Sequence, residues 1–288
     1  MTIPDNVRAD ILIQAMPYFR KFAGKTFVVK YGGAAMVNEG VRNAVAQDLV
    51  LMRQVGMRPV LVHGGGPEID KLLARLGKER VFVDGLRYTD EETMEVVQMV
   101  LSGKVNKDLV ALIQRQGGKA AGLCGVDGGL FRAQRYAREG RDLGLVGEID
   151  AVNPEIISAL LDKGFIPVVS TVAMGESEDA ALYNVNADTA AAELAGALGA
   201  EKLLLLTDVA GILEDLSDLG TLMREVDRSQ VPGLIARGVV KGGMIPKVEC
   251  CVKALKLGVQ AAAIIDGRAP HALLVELFSD QGAGTMIV

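Results

Sequence analysis

The chain reads as an α/β protein built on a mainly parallel sheet with helices on both faces. Two observations carry this expectation. From Thr26 onward, short apolar runs alternate with amphipathic helical patterns, and crossover connections of that kind lay strands parallel. Two glycine-rich turns follow apolar runs directly, in Thr26–Met36 (TFVVKYGGAAM) and Pro59–Pro67 (PVLVHGGGP). Ligands of open α/β folds bind at the carboxyl ends of such strands. With 288 residues, half of them apolar, and 34 glycines for tight turns, the chain can bury a large core as one domain of two lobes.

The elements follow in order. Val7, Ile11, Leu12, Ala15, Met16, Phe19 and Phe22 share one stripe of a helix over 7–23, with a kink expected at Pro17. Such a helix either folds onto its own domain or docks on another subunit. Short buried strands are expected at Thr26–Lys30, Arg58–His63, Ala120–Cys124, Ile166–Thr171, Lys202–Thr207 and Gln260–Ile265. Helical patterns fall between them at Asn38–Val55, Glu68–Leu76, Glu91–Gln116, Pro154–Lys163, Ala187–Leu198 and Met244–Leu257. Val81–Thr89 and Leu130–Ile149 break this rhythm. They read as hairpins over one end of the sheet, with Asp84–Gly85 and Asp127–Gly128 as turn signals. No linker or repeat is visible, so the expected organisation is an N-terminal helix (1–24) and two lobes of one sheet, 25–195 and 196–288.

Composition removes several function classes. The net charge is −5 with Lys and Arg scattered, which argues against a nucleic-acid partner. Cys124, Cys250 and Cys251 fit no zinc spacing and read as reduced thiols of a cytoplasmic protein. Charges at Arg8, Asp10, Arg20 and Lys21 interrupt the N-terminal segment, so it is no signal peptide. No apolar run approaches the ~20 residues that span a bilayer, so no membrane partner is expected.

The candidate chemistry is anion binding. Lys30 ends a buried strand and enters the Gly32–Gly33 turn, which favours phosphate contact over a merely solvated lysine. Three glycines at Gly64–Gly66 carry a large ordering entropy, which close backbone approach to a ligand would justify. His63 before them reads as a strand-end hydrogen-bonding residue rather than a catalyst. Glu68 and Ile69 stand where a dinucleotide fingerprint needs its last glycine, and Phe19 stands where a P-loop ending in Gly24–Lys25–Thr26 needs its first. Both motifs are therefore rejected. Arg87 is a candidate fork for a carboxylate, although an arginine in a hairpin is usually solvated. Asn184–Asp188 (NVNAD) precedes a helix, where one Asn or Asp is an ordinary cap; two asparagines and an aspartate exceed that need. Thr207 and Asp208 end a Leu-rich strand, and Lys247 lies one turn into a helix opened by Gly242 and Gly243. With two histidines, no Gly-x-Ser-x-Gly elbow and no His/Cys cluster, neither a serine hydrolase nor a transition-metal site is supported.

KYGG (Lys30–Gly33), HGGGP (His63–Pro67), GLRYT (Gly85–Thr89), NVNAD (Asn184–Asp188), LLTDVAGIL (Leu205–Leu213) and GGMIPK (Gly242–Lys247) occur in this order over nearly the whole chain. The set resembles the acetylglutamate kinases of the amino acid kinase superfamily. The resemblance implies an open three-layer α/β/α sandwich whose N-terminal lobe holds N-acetyl-L-glutamate and whose C-terminal lobe holds ATP. It implies transfer of the γ-phosphoryl group from ATP, with Mg²⁺, to the side-chain carboxylate, as a step of arginine synthesis. Lys30 and Lys247 would neutralise the transferring group, and Asp188 would hold both lysines. Gly65, Gly66, Arg87 and Asn184 would bind N-acetylglutamate. Gly32, Gly33, Thr207, Asp208, Gly211 and Gly243 would surround the nucleotide. The N-terminal helix resembles the extension that links dimers of arginine-sensitive members into a hexamer, a trimer of dimers. His271–Thr285 resembles a wall of their inhibitory arginine site. Tyr18, Lys202, His271 and Glu276 would then contact L-arginine.

Three other functions fit parts of the pattern. A sister kinase acting on glutamate, aspartate or carbamate would have no use for Arg87 and Asn184 together. A non-catalytic arginine sensor would not need Lys30, Asp188 and Lys247. A nicotinamide oxidoreductase lacks its glycine fingerprint and acidic ribose partner.

Overall fold

In the strand Thr26–Tyr31, Phe27, Val28, Val29 and Tyr31 are all fully buried. Successive side chains of a strand point to opposite faces, so both faces of this strand need cover. Phe27, Val29 and Tyr31 join one core and Val28 the other. The structure is a computed structural model that describes residues 4–36, 38–83, 85–137, 142–176 and 181–288.

Eight strands form the central sheet, in the order Glu225–Val226, Thr285–Ile287, Ala261–Asp266, Lys202–Thr207, Thr26–Tyr31, Arg58–His63, Ile166–Ser170 and Ala120–Cys124. The last six run parallel. Thr285–Ile287 turns antiparallel against Ala261–Asp266. One face is covered by helices Glu39–Gln54, Gly66–Arg75, the long helical run from Glu91 to Arg115, and Ala272–Phe278. The other is covered by Glu155–Asp162, Ala187–Ala197, Val231–Ala236 and Met244–Lys256. This is the three-layer sandwich the sequence implies. Each fully buried aliphatic side chain contributes roughly 1.5–3 kcal/mol; truncating one such as Leu49 to alanine costs about 2–5 kcal/mol.

Expected elements lie within a residue or two of the observed ones, with informative exceptions. The hairpin expected within Leu130–Ile149 pairs Phe131–Arg135 with Val146–Val152. Val172–Met174 and Leu182–Val185 join it to close a small four-stranded barrel. In the other hairpin Phe82–Val83 pairs with Leu86–Arg87. Gly85 adopts φ 80° there, while the expected turn residue Asp84 lies outside the described residues. The run expected as one α-helix over Glu91–Gln116 contains a π-helical segment at Met99–Val105.

The N-terminal helix, Asp5–Phe22, runs through Pro17 without interruption. Its end packs inward: Phe22 meets Phe27 edge-on at 5.3 Å, and Phe19 meets Phe278 at 5.1 Å. Its first half does not. Val7, Ile11, Leu12 and Ile13 are 41–64% exposed. The stripe packs onto its own domain only in its second half, from the half-buried Ala15 and Met16 to the buried Phe22.

Candidate active site

Lys30 sits on the same side of its strand as Val28, the face covered by helix Ala187–Ala197. That helix starts where Asn186 accepts hydrogen bonds from the Asp188 and Thr189 N–H groups, at 2.8 and 3.2 Å. The cap places Asp188 in the first turn, directly in front of Lys30. Lys30 Nζ lies 2.7 Å from Asp188 Oδ1, and Lys247 Nζ lies 3.8 Å from Oδ2. The neighbouring helix Met244–Lys256 carries Lys247 in its first turn, and its Cys250 thiol donates to the Asp188 carbonyl at 3.0 Å. Burial works against charge on Asp188, and the two ammonium groups outweigh it, so its pKa falls below the ordinary value. Gly32 leaves room for Lys30: a Cβ there would come within 3.2 Å of Nζ.

The second glycine turn faces this pair. The Gly64 N–H donates to the Tyr31 carbonyl at 3.0 Å. Gly65 must lack a side chain, since a Cβ would fall 2.6 Å from Leu101 Cδ2. Gly66 opens the helix Gly66–Arg75. Pro67 has no N–H, and the Glu68 and Ile69 N–H groups donate to the Gly65 carbonyl at 3.0 Å, which leaves the Gly66 N–H as the helix's first donor without an intrahelical acceptor. Arg87 is buried beside it. Its Nη2 donates to Asp70 Oδ1 at 2.5 Å and to the Gly66 carbonyl at 3.4 Å, and its guanidinium lies 4.8 Å from the Phe82 ring centre. Arg87 Nη1 is buried with no partner among the described residues. Asn184 Nδ2 donates to Thr89 Oγ1 at 3.2 Å, and that hydroxyl donates to the Arg87 carbonyl at 2.9 Å. Gly65, Gly66, Arg87, Leu101, Asn184 and Asn186 line a cleft of about 340 Å³. A larger cavity, about 440 Å³, shares Leu86, Val146 and Asn186 with it and reaches Asp188.

The residues expected around a nucleotide cluster less tightly. Thr207 is buried at the end of its strand, with Oγ1 donating to Asp208 Oδ1 at 3.1 Å. That strand neighbours Thr26–Tyr31 in parallel register, so Thr207, Asp208, Gly32 and Gly33 stand at one end of the sheet. Gly33 has φ 65°. Gly243 caps the Lys247 helix and is uncrowded. Gly211 adopts φ 143°, and a Cβ would strike Thr285 Oγ1 at 2.5 Å, so packing alone requires this glycine. Among the described residues no cluster of three His, Cys, Asp or Glu could hold a metal ion. The central carboxylate, Asp188, is engaged by ammonium groups. Lysines and free amides of this kind fit a polyphosphate that brings its own Mg²⁺.

Tyr18, Lys202, His271 and Glu276 lie where the N-terminal helix meets Ala272–Phe278. Lys202 Nζ is 3.5 Å from Glu276 Oε1, and Glu276 Oε2 accepts from the Ala283 N–H at 2.9 Å. The Tyr18 hydroxyl bonds Asp280, and its ring leans on Phe278 at 6.5 Å. His271 adopts φ 59° and pairs through Nδ1 with the buried Asp48 at 2.6 Å.

Residues 25–266 match the family described as the amino acid kinase family. The chain belongs to the amino acid kinase family. It is 54% identical to an acetylglutamate kinase of Clostridium beijerinckii, covering 97% of this chain and 98% of the relative. One from Thermosynechococcus vestitus is 55% identical, covering 99% of this chain and 96% of the relative. Among solved structures, an N-acetylglutamate synthase from Neisseria gonorrhoeae complexed with coenzyme A and N-acetyl-glutamate superposes with a TM-score of 0.83 at 29% identity. The match covers 97% of this kinase but 63% of that longer chain. A carbamate kinase from Giardia lamblia bound to AMP-PNP shares the fold, with TM-score 0.63 and 16% identity over 92% of this chain and 99% of that one. This kinase is therefore a phosphotransferase. Among its described residues, no helix is long and apolar enough to cross a membrane.

The sequence left out several residues of the cleft in this kinase. Asp70 holds Arg87, Thr89 links Arg87 to Asn184, and Asn106 underlies the second glycine turn. Asp70 and Thr89 carry no local signal. Asn106 has one: Val97, Leu101, Val105, Leu109 and Ile113 are buried at steps of four, wider than an α-helix sustains on one face, and the π-helical segment absorbs the excess.

Proposed function

We propose that this kinase transfers the γ-phosphoryl group of ATP to the side-chain carboxylate of N-acetyl-L-glutamate, giving the acyl phosphate and ADP, in arginine synthesis. The observation that carries the reading is Arg87. It lines the cleft with Gly65, Gly66 and Asn184, and its buried Nη1 has no partner among the described residues, which leaves a donor for an acceptor carboxylate. A free guanidinium N–H in that position has little reason to exist without an anion to receive it. The high identity to acetylglutamate kinases supports the same acceptor.

The chemistry asks little of the protein beyond placement and charge. A carboxylate is already nucleophilic at neutral pH, so no general base is required. The obstacle is bringing two anions together and stabilising charge on the phosphoryl oxygens. Lys30 and Lys247 face that charge, the Gly32–Gly33 and Gly65–Gly66 amides add donors, and Mg²⁺ arriving with ATP would neutralise the polyphosphate. Asp188 places a negative charge between the two ammonium groups and offsets their mutual repulsion. In this reading residues 25–195 hold the acceptor, and residues 196–288 hold the nucleotide around Thr207, Asp208, Gly211 and Gly243.

Feedback inhibition by L-arginine and a hexameric assembly belong to the same proposal. The Lys202–Glu276 pair beside Tyr18 and His271 supplies a carboxylate for a guanidinium and cations for a carboxylate. The uncovered stripe of Val7, Ile11 and Leu12 supplies a surface for another subunit. A solved N-acetylglutamate synthase that is 26% identical was complexed with L-arginine. The deciding experiment measures ADP release from MgATP with N-acetylglutamate, glutamate, aspartate, or bicarbonate with ammonia, each with and without arginine. Turnover on N-acetylglutamate alone, suppressed by arginine, is expected. Turnover only on another acceptor would overturn the substrate assignment.

A further inference from the structure

Behind the Gly64–Gly66 turn lies a buried polar pair that the phosphoryl chemistry does not use. His63 and Asn106 are both fully buried. His63 Nδ1 is 2.9 Å from the Gly64 carbonyl oxygen. A carbonyl can only accept, so Nδ1 carries the proton and Nε2 is the acceptor. Asn106 Nδ2 donates to that Nε2 at 3.1 Å. The amide cannot be turned around. Its nitrogen has two hydrogens for three acceptors, the Val168 carbonyl at 2.9 Å, His63 Nε2 at 3.1 Å and the Leu123 carbonyl at 3.2 Å, so one hydrogen is shared with the longest of them. Lys107 Nζ donates to its oxygen at 2.9 Å. Burial pushes the His63 pKa down to about 4, which leaves one ring proton at neutral pH and makes its location decisive.

The consequence reaches the cleft through one peptide plane. The Gly64 carbonyl and the Gly65 N–H share a trans peptide and point in opposite directions. Holding the carbonyl against His63 therefore aims the Gly65 N–H away from the sheet interior. Among the described residues nothing accepts from that N–H. The surroundings are built for this arrangement. Leu101 and Val105 of the π-helical segment press on Gly65, and a Cβ at Gly122 would fall 1.9 Å from Asn106 Oδ1.

We propose that Asn106 is a positioning residue: its side-chain amide fixes the Nδ1–H tautomer of His63, which clamps the Gly64 carbonyl and aims the Gly65 N–H at the bound anion. This rests on the reading of the Gly65 and Gly66 amides as substrate contacts, which wild-type turnover on N-acetylglutamate tests separately.

The chain has two histidines, His63 and His271, so ¹⁵N NMR of the imidazoles resolves the question directly, with His271→Gln for assignment. Wild-type His63 is expected protonated at Nδ1 and bare at Nε2. Asn106→Leu should disturb that signal and lower kcat by about 10- to 100-fold. His63→Asn, whose amide N–H takes the Nδ1 position, should keep at least about tenfold more kcat than His63→Gln, whose amide takes the Nε2 position. Packing alone gives the reverse order, because glutamine fills more of the ring's volume. An Nε2–H tautomer in the wild type, or a glutamine variant as active as the asparagine variant, would overturn the proposal. If the variants do not fold, the wild-type tautomer decides alone.

Discussion

Lys247 Nζ stands 3.8 Å from Asp188 Oδ2, an ion-pair separation too long for a hydrogen bond. Lys30, at 2.7 Å from the other oxygen, is the more closely paired of the two cations, and Lys247 the more loosely paired. Lys247 is thus the cation with the most freedom to move onto a transferring phosphoryl group. Lys247→Ala is expected to lower kcat by about 10²–10³-fold, the usual cost of removing one donor to a developing charge. The KM for N-acetylglutamate should change by less than about threefold, since this interaction belongs to the transition state. Steady-state kinetics check both numbers; a raised KM with normal kcat would assign Lys247 to ground-state binding.

Asp188→Asn leaves the two ammonium groups facing each other without the carboxylate between them. Removing the carboxylate from a buried charge cluster leaves its cations without a counter-charge, which costs about 3–5 kcal/mol. The variant should therefore unfold at a lower urea midpoint, and its kcat should fall by about tenfold or more because the ammonium groups lose their placement. Wild-type stability and turnover in the asparagine variant would mean that Asp188 does not place the lysines.

Arg87 offers a planar fork of which one arm is spent on Asp70 and Gly66 and the other has no partner among the described residues. Lysine retains the charge but not the fork. Arg87→Lys is expected to raise the KM for N-acetylglutamate about 30-fold, the worth of roughly 2 kcal/mol in a hydrogen bond to a charged group. The KM for MgATP should stay close to wild type. A variant that loses affinity for both substrates equally would place Arg87 in scaffolding instead.

Legibility in the sequence tracked how local each cause is. The turns at Lys30–Gly33 and His63–Pro67 and the cap at Asn186 are set by a few neighbouring residues, so strand, turn and helix could be read in place. Lys30, Asp188 and Lys247 were nameable individually, and the structure brings them together because alternation along one strand turns Lys30 toward the Asp188 helix. The partners that orient the cleft were not readable. Asp70 is 17 residues from Arg87, Thr89 is 95 from Asn184, and Asn106 is 43 from His63, and these meet only through tertiary packing. The closed small barrel escaped for the same reason, since Val172–Met174 and Leu182–Val185 are too short to announce themselves. Arg87 and the Asn184–Asp188 run stood out by residue type, the resemblance supplied their substrate role as an expectation, and the geometry shows how Arg87 and Asn184 are held.

His63 also links stability to pH. Its folded-state pKa of about 4 lies below the ordinary histidine value of ~6.5. Between these values the unfolded chain binds the proton that the folded chain refuses. Stability contributed by the neutral ring is complete above the unfolded value and is lost as pH falls toward 4. From pH 7 to pH 5 the loss is about 2 kcal/mol. His63→Asn removes the titrating group, so its urea midpoint should fall less over that interval than the wild type's. Parallel losses in the two proteins would show that His63 is not excluded from protonation in the folded state.

The N-terminal helix gives a test of assembly that deletion would confuse. Phe19 and Phe22 pack on Phe278 and Phe27, so removing residues 1–22 would open the sheet's core as well as any subunit contact. Ile11 and Leu12 are exposed on the uncovered half of the stripe. Replacing both with aspartate adds charge where a partner helix would bury apolar surface, a desolvation cost large enough to separate subunits. The double variant Ile11→Asp, Leu12→Asp is expected to show a lower mass by light scattering. Arginine should no longer inhibit it, because the Tyr18 end of the helix would lose its anchoring, while turnover without arginine should persist. A variant with unchanged mass would leave the stripe without a subunit partner. One that dissociates yet still responds to arginine would place inhibition within a smaller unit, at Lys202 and Glu276 alone.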